Sequence, residues 1–245
     1  MSDKTKEKKR YDRRASSKLT GSNLNTSYIS ADMIEPYQAY NSFLSEIPPK
    51  SKILEIGAGM GENTSYLLDL GHEIVATDIS AKSVEFMNKR FKDYYLFNTQ
   101  VADMEKLPFD NDSFDCVCSA GSLSYGDNDI VMSEIYRVLK TGGLYIAVDS
   151  LNNSFIYRVN RFIHYLMGKR SKSTLKRMPD LDLIENYNKR FGSIEVKYFG
   201  SLTWLFPIMK IFMTEQQIKI FSQNFDKKFK VKKSAFKFSM KLRKQ

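Results

Sequence analysis

Cysteine is nearly absent from these 245 residues: Cys116 and Cys118 are the only two. They alternate on one face of what reads as a buried strand, which argues against disulfide chemistry and for a structural role. Long apolar runs are missing as well. The most apolar late stretch, Leu202 to Met213, is about half of the ~20 residues a membrane span needs, and Pro207 and Lys210 interrupt it. The N-terminus is charged and no apolar segment follows it, so no secretory signal is expected. These absences imply a cytoplasmic chain, with peripheral contact at the inner membrane surface left open. No internal repeat is visible.

Acids are the other shortage. Asp plus Glu number 28 against 38 Lys plus Arg, a formal net charge of +10. Such an excess favours anionic partners without naming one. It is uneven. Residues 1–20 hold eight basic and three acidic residues and almost nothing apolar, so residues 1–27 read as a disordered basic arm. Residues 151–179 have no acid but carry Arg158, Arg161, Lys169, Arg170, Lys172, Lys176 and Arg177, and residues 227–245 hold nine basic residues and no acid.

What is present is concentrated in Ile53-Leu54-Glu55-Ile56-Gly57-Ala58-Gly59-Met60-Gly61. An apolar run with one acid meets three alternating glycines, the pattern of a buried strand, a tight turn and a helix start. Glycine permits positive φ and lets the backbone press on a ligand. Asp78 closes the next apolar strand, 21 positions after Gly57, where a doubly wound sheet places the carboxylate that grips a ribose. A dinucleotide fingerprint would need a small residue at position 62; here it is Glu, and Glu55 would sit badly beside a pyrophosphate. Strands are expected at 52–56, 73–77, about 96–101, 114–119 and 143–149, alternating with helices at 62–70, 81–91 and 128–139. A helix carrying Met33, Tyr37, Tyr40, Leu44 and Ile47 precedes them, near the ligand mouth. Ser193 to Gly200 can form a sixth strand, a helix follows near Glu215–Phe225, and Ala235 to Arg243 alternates like a one-face-buried antiparallel strand. Alternation of this kind implies right-handed βαβ units and a mostly parallel sheet.

The glycine pattern resembles motif I of the class I S-adenosylmethionine-dependent methyltransferases. The likeness continues in order through Asp78, Ala102-Asp103-Met104, Phe114-Asp115-Cys116-Val117-Cys118-Ser119 and Glu134 to Gly143. It implies an α/β fold: a seven-stranded, doubly wound, mostly parallel sheet of order 3-2-1-4-5-7-6. One domain would span residues 28–245, with a helical cap insertion at 151–191 between strands five and six. It also implies S-adenosylmethionine as cofactor. Glu55, Gly57, Ala58, Gly59 and Gly61 would hold its methionine end. Asp78 with Ile79 would hold the ribose, Asp103 and Met104 the adenine, and Ser119 and Ala120 would lie beneath the sulfonium. Methyl transfer needs alignment but no metal, and alignment alone can lower a barrier by ~7–11 kcal/mol. A hydroxyl acceptor gains from a general base worth about 10²–10⁴-fold; His164, Asp149 and Tyr125 are the candidates.

The motifs of DNA amino- and cytosine-methylating enzymes are missing, Ser119-Ala120-Gly121-Ser122 standing after strand four. The late half is similar to uncharacterised bacterial methyltransferases of surface-polysaccharide gene clusters. That implies an O or N acceptor on a small or carrier-linked anionic molecule, such as a nucleotide- or lipid-linked sugar. Tyr125, Tyr157, Arg158, Arg161 and Arg177 would bind it. At helical spacing, Phe155, Ile156, Val159, Phe162, Ile163, Leu166 and Met167 fall on one arc, with Tyr157, Arg158, Asn160, Arg161, His164 and Tyr165 on the other. The polar arc could be solvated, could turn toward an acceptor, or the helix could meet a membrane. Two other readings stay open: an RNA-directed methyltransferase using the basic arm and tail, and a non-catalytic scaffold.

Overall fold

A strand buried on both faces must hand its side chains alternately to two separate layers, and the strands around Glu55 do so. In the computed structural model, which describes residues 3–19, 34–168, 171–229 and 232–245, β1 (Lys52–Ile56) lies parallel between β2 (Glu73–Asp78) and β4 (Phe114–Ala120). β3 (Phe97–Val101) pairs parallel with β2, and β5 (Leu139–Ser150) with β4. β7 (Lys237–Arg243) runs antiparallel between β5 and β6 (Ile194–Phe199), giving one seven-stranded sheet of order β3-β2-β1-β4-β5-β7-β6. This is the order expected from the sequence.

Leu54, Ile56, Val117, Tyr145 and Ala147 point to one side, where α5 (Asn128–Val138) and α8 (Leu181–Phe191) deliver Ile135, Val138, Ile184, Tyr187 and Phe191. Tyr187 and Phe191, one helical turn apart, stack with their ring centroids 6.1 Å apart, and Tyr187 also stacks on Tyr145 at 5.6 Å. Ile53, Ile74, Cys116, Cys118, Ile146 and Val148 point to the other side. There α2 (Ile34–Leu44), α3 (Thr64–Asp69) and α4 (Ala81–Arg90) supply Tyr40, Phe43, Leu67 and Met87. Both cysteines are free, buried thiols, as their alternation implied, and burial pushes both thiols up. Met33, assigned to the helix that is α2, lies outside the described residues.

Two expectations are corrected. Residues Asp3–Leu19 are not a disordered arm but a helix, α1; the rest of the expected arm, 1–2 and 20–27, lies outside the described residues. Lys, Arg and Glu are good helix formers, and Ala15, with Leu19 beside it, seats α1 on Met60 and Phe86. The 151–191 segment also divides. Its last helix, α8, is a crossover packed on the sheet, which leaves α6 (Phe155–Leu166) and α7 (Lys172–Lys176) as the addition.

Helix α6 sits with its polar arc inward. Arg161 is buried and its Nη1 donates to Leu151 O at 2.8 Å and Asn152 Oδ1 at 2.9 Å. Its guanidinium lies 5.4 Å from the Phe236 ring centroid. The Tyr157 hydroxyl donates to Gly200 O at 2.9 Å and pairs with Thr203 Oγ1. Burial here follows hydrogen-bond partners rather than apolarity: this arc supplies a donor to the buried Leu151 carbonyl and a third donor to the Gly200 carbonyl, which Thr203 also serves. Beyond Gly200 come α9 (Phe206–Met209) and α10 (Glu215–Phe229). Arg161→Ala should therefore lower stability by about 2 kcal/mol, by orphaning buried carbonyl and amide oxygens, with cofactor affinity unaltered. Urea unfolding, set beside calorimetry with S-adenosylhomocysteine, checks both halves.

Candidate active site

Ligands of parallel α/β sheets bind beyond the carboxyl ends of the strands, where the strand order reverses. Here β1 separates from β4 at that point, and the turns after β1, β2, β3 and β4 surround one cavity. Its lining includes Gly57, Ala58, Gly59, Asp78, Ile79, Asp103, Met104, Ala120 and Tyr125, all expected from the sequence, together with Met60, Glu62, Asn63, Ala102, Gly121, Ser122 and Tyr37.

The glycine turn is built for close approach. Gly57 has φ +62°, and a Cβ there would meet Ser122 Cβ at 2.5 Å. Gly61, at φ +76°, presses on the Phe91 ring and does not line the cavity. Gly59, at φ +61°, lines the cavity, and a Cβ there would meet a Glu62 oxygen at 3.3 Å, so backbone rather than side chain faces the ligand space.

Asp78 is buried, and its two oxygens accept from Gly59 N at 2.9 Å and Ser80 N at 2.8 Å. Burial raises its pKa to about 6 against the pull of those two amides. Each oxygen keeps a lone pair for a hydroxyl. Glu62 accepts from Met60 N at 3.1 Å. With Glu62, Asp78 and Asp103 all lining it, the cavity floor is rich in carboxylates around a neutral glycine turn, which suits hydroxyls, amino groups and a cation far better than a pyrophosphate. These residues fit a sulfonium nucleoside.

Three expected contacts stand behind the wall. Glu55 does not line the cavity: it is buried, Oε2 accepts from Thr64 Oγ1 at 2.5 Å, and Oε1 has no partner. Desolvation raises its pKa to about 7. Ser119 is turned away too, sharing a 2.9 Å hydrogen bond with Tyr145, and Gly61 is the third.

Of the three candidate bases, only Tyr125 lines the cavity. Asp149 is buried and committed: Oδ2 accepts from Leu123 N at 3.0 Å and Oδ1 from Ser150 N at 2.6 Å, holding the 3-10 turn Leu123–Tyr125 in place. His164 faces its own helix, Nδ1 lying 2.9 Å from Asn160 O. None of the expected acceptor-binding residues of the cap lines the cavity. Tyr157 and Arg161 hold α6 to the body as described. Arg158 Nε donates to Asn152 O at 2.8 Å, and Arg177 lies 3.7 Å from Glu105. The sequence arcs were right, but the side facing the protein spends its donors on backbone.

In their place stands α1, which sequence reasoning missed. Lys4, Glu7, Tyr11, Arg14 and Lys18 recur every three or four residues and line the cavity. Lys4 Nζ pairs with Asp103 and lies 2.9 Å from Glu105 Oε2. Ser80 Oγ donates to Asp12 at 2.6 Å. The Tyr125 hydroxyl accepts from Tyr11 at 3.0 Å and from Arg10 Nη2 at 3.1 Å, with the Tyr11 and Tyr125 rings edge to face at 5.7 Å. The signal available was that spacing, with Tyr11 and Ala15 one turn apart in a run of helix formers.

Residues 54–147 match the model of a methyltransferase domain family. An uncharacterised methyltransferase of Bacillus subtilis, YodH, is 34% identical over 103 residues, 42% of this chain and 44% of that protein. Other curated relatives at 30% identity or more are spanned to a similar or smaller extent, so the chain spans less than half the length of these relatives. A protein from Galdieria sulphuraria assigned as a sarcosine dimethylglycine methyltransferase superposes with a TM-score of 0.61 at 16% identity, covering 96% of this chain and 98% of its own. The geranyl diphosphate C-methyltransferase of Streptomyces coelicolor, crystallised with S-adenosyl-L-homocysteine, superposes at 0.57 and 16%, covering 90% and 85%.

Glu55 makes the apo protein pH-sensitive in a stated direction. Its carboxyl has an ordinary pKa of 4.5 when unfolded and about 7 when folded. Between those values the folded state holds more protons, so stability falls as pH rises through the window. Asp78 adds the same sign between 3.8 and about 6. Glu55→Gln should remove about 2–3 kcal/mol of the loss between pH 5 and pH 8. Urea midpoints of both proteins at the two pH values measure it; parallel losses would deny Glu55 this role.

Proposed function

We propose, from the match of residues 54–147 to a methyltransferase domain family, that the protein is a class I S-adenosylmethionine-dependent methyltransferase and transfers a methyl group to an oxygen or nitrogen of a small or carrier-linked anionic acceptor. The observation that carries this reading is the composition of one cavity. Its floor is Gly57 to Gly59, Asp78 and Asp103, and its wall is α1 with Arg14, Lys18 and Tyr11, facing Tyr37 and Tyr125. A carboxylate floor and a cationic, phenolic wall suit two ligands of opposite character side by side. When bound, S-adenosylmethionine supplies an electrophilic methyl carbon on a sulfonium. Asp78 would orient the ribose, and Asp103 with Met104 the adenine.

Arg14 and Lys18 would hold the acceptor's phosphate or carboxylate. Tyr125 is the residue we assign to the acceptor proton, because it alone of the three candidate bases lines the cavity, and Arg10 and Tyr11 donate to its oxygen and fix its position. A nucleotide- or lipid-linked sugar fits this division of charge. RNA is the weaker acceptor class, since the basic arm it would use is docked as α1 over the cavity.

Asp78→Ala should weaken S-adenosylhomocysteine binding by about tenfold or more, read by calorimetry; unchanged affinity in a folded variant removes Asp78 from the ribose site. The acceptor is tested by mass spectrometry of products from labelled cofactor with a panel of sugar nucleotides, lipid-linked sugars and RNA. Methylation of RNA alone would overturn the proposed acceptor class.

With an acceptor in hand, Tyr125→Phe should cut turnover about 10²-fold while S-adenosylhomocysteine affinity holds. Wild-type turnover across pH 6 to 9 would leave alignment as the whole of the protein's contribution.

A further inference from the structure

The inward turn of α6 leaves its apolar arc in water. Phe155 is 79% exposed and Leu166 67%, and Ile156, Val159, Phe162, Ile163 and Met167 lie exposed beside them. Next to α6, Tyr157 is pinned to Gly200 and Thr203. From that turn the chain runs through Trp204 into α9 and a tip where Ile211 is 71% and Phe212 81% exposed. Two segments joined through Tyr157 and Thr203 thus present large apolar side chains to solvent, and exposed apolar surface of this kind on a folded chain marks a contact surface.

Charge selects the occupant. Residues 151–179 contain no acid. Arg158 flanks the apolar arc, and α7, which packs against α6, carries Lys172 and Lys176. An amphipathic helix with apolar residues on one arc, cations beside it and no acid has the profile of an element lying in a membrane interface. Cations at that depth attract anionic headgroups. Among the described residues no helix is long and apolar enough to cross a membrane, so this surface would rest on a bilayer.

We infer that α6 and the 203–212 segment form a docking face for an anionic lipid bilayer. The face adjoins the active site: α7 packs on the Leu123–Tyr125 turn and on α1, and Arg177 on the same connection reaches Glu105, which also pairs with Lys4. Docking would hold the cavity mouth close to the headgroup layer. The inference rests on this surface alone and stands whether or not the acceptor is lipid-borne.

The test is co-sedimentation of the full chain with vesicles of phosphatidylcholine, and with vesicles of equal parts phosphatidylcholine and phosphatidylglycerol. Binding to the anionic vesicles that weakens with salt is expected. Trp204, the single tryptophan, reports it independently through a blue shift of its emission. Phe162→Glu with Leu166→Glu changes only exposed positions, and the pair should cost about tenfold or more in binding. Lys172→Glu with Lys176→Glu should cost about as much on anionic vesicles and little on neutral ones. S-adenosylhomocysteine affinity equal to wild type certifies that each variant is folded. Failure to bind anionic vesicles, or undiminished binding by the glutamate variants at 162 and 166, overturns the proposal. So does a dimer in light scattering that those variants split into monomers, which would make the face an interface between copies.

Discussion

Where the chain leaves β1 at Ile56 it must turn sharply between two parallel neighbours, and the turn has room only because Gly57 has no side chain: Ser122, from the loop after β4, occupies the place a Cβ would take. The working end depends on this contact. Ser122 also donates to Ile56 O at 3.3 Å, tying the two loops at the point where strand order reverses. With the loops joined, Gly59 N is aimed at Asp78, and Asp78 in turn anchors Ser80, the cap of α4. Three strand ends become one rigid floor. Catalysis by alignment needs a floor of this kind, because errors of an ångström are costly when positioning is most of what the protein supplies.

Buried carboxylates are the cost of the design. Glu55 and Asp78 are held at raised pKa values by desolvation, so keeping them ionised in the free protein costs stability as pH rises. A hydroxyl pair arriving at Asp78, which lines the cavity, would relieve part of that penalty, so affinity for such a ligand would draw on instability stored in its absence.

The sheet was legible in the sequence because period-two alternation and glycine punctuation are local. β7 carries its facing in its own alternation, β1 declares itself a buried strand by its apolar run before the glycines, and the strand order followed from the family likeness. The floor of the site was legible for the same reason. What was not legible depended on partners far away in the chain. Helix α1 holds almost no apolar residue besides Ala15, Leu19 and its one tyrosine, and its fit lies in pairs such as Lys4 with Asp103, ninety-nine positions apart. The arcs of α6 were read correctly, but the inward arc is the one whose Arg161 and Tyr157 meet the Leu151 and Gly200 carbonyls. Hydropathy holds no record of those. Asp149 shows the same limit: a carboxylate at a strand end looks catalytic until the two amides it serves are known.

Helix α1 is fastened by polar pairs around Ala15 and Leu19, so the free energy that holds it down is a small share of what holds the sheet. Under the proposed activity α1 stands over the cavity that spent cofactor would leave and fresh cofactor would enter, so exchange would have to pass this wall. Lys4 already occupies Asp103, so an amino group that takes Asp103 does so by substitution rather than by addition. Loading of that position would then be a competition with Lys4, a residue that takes no part in the sheet.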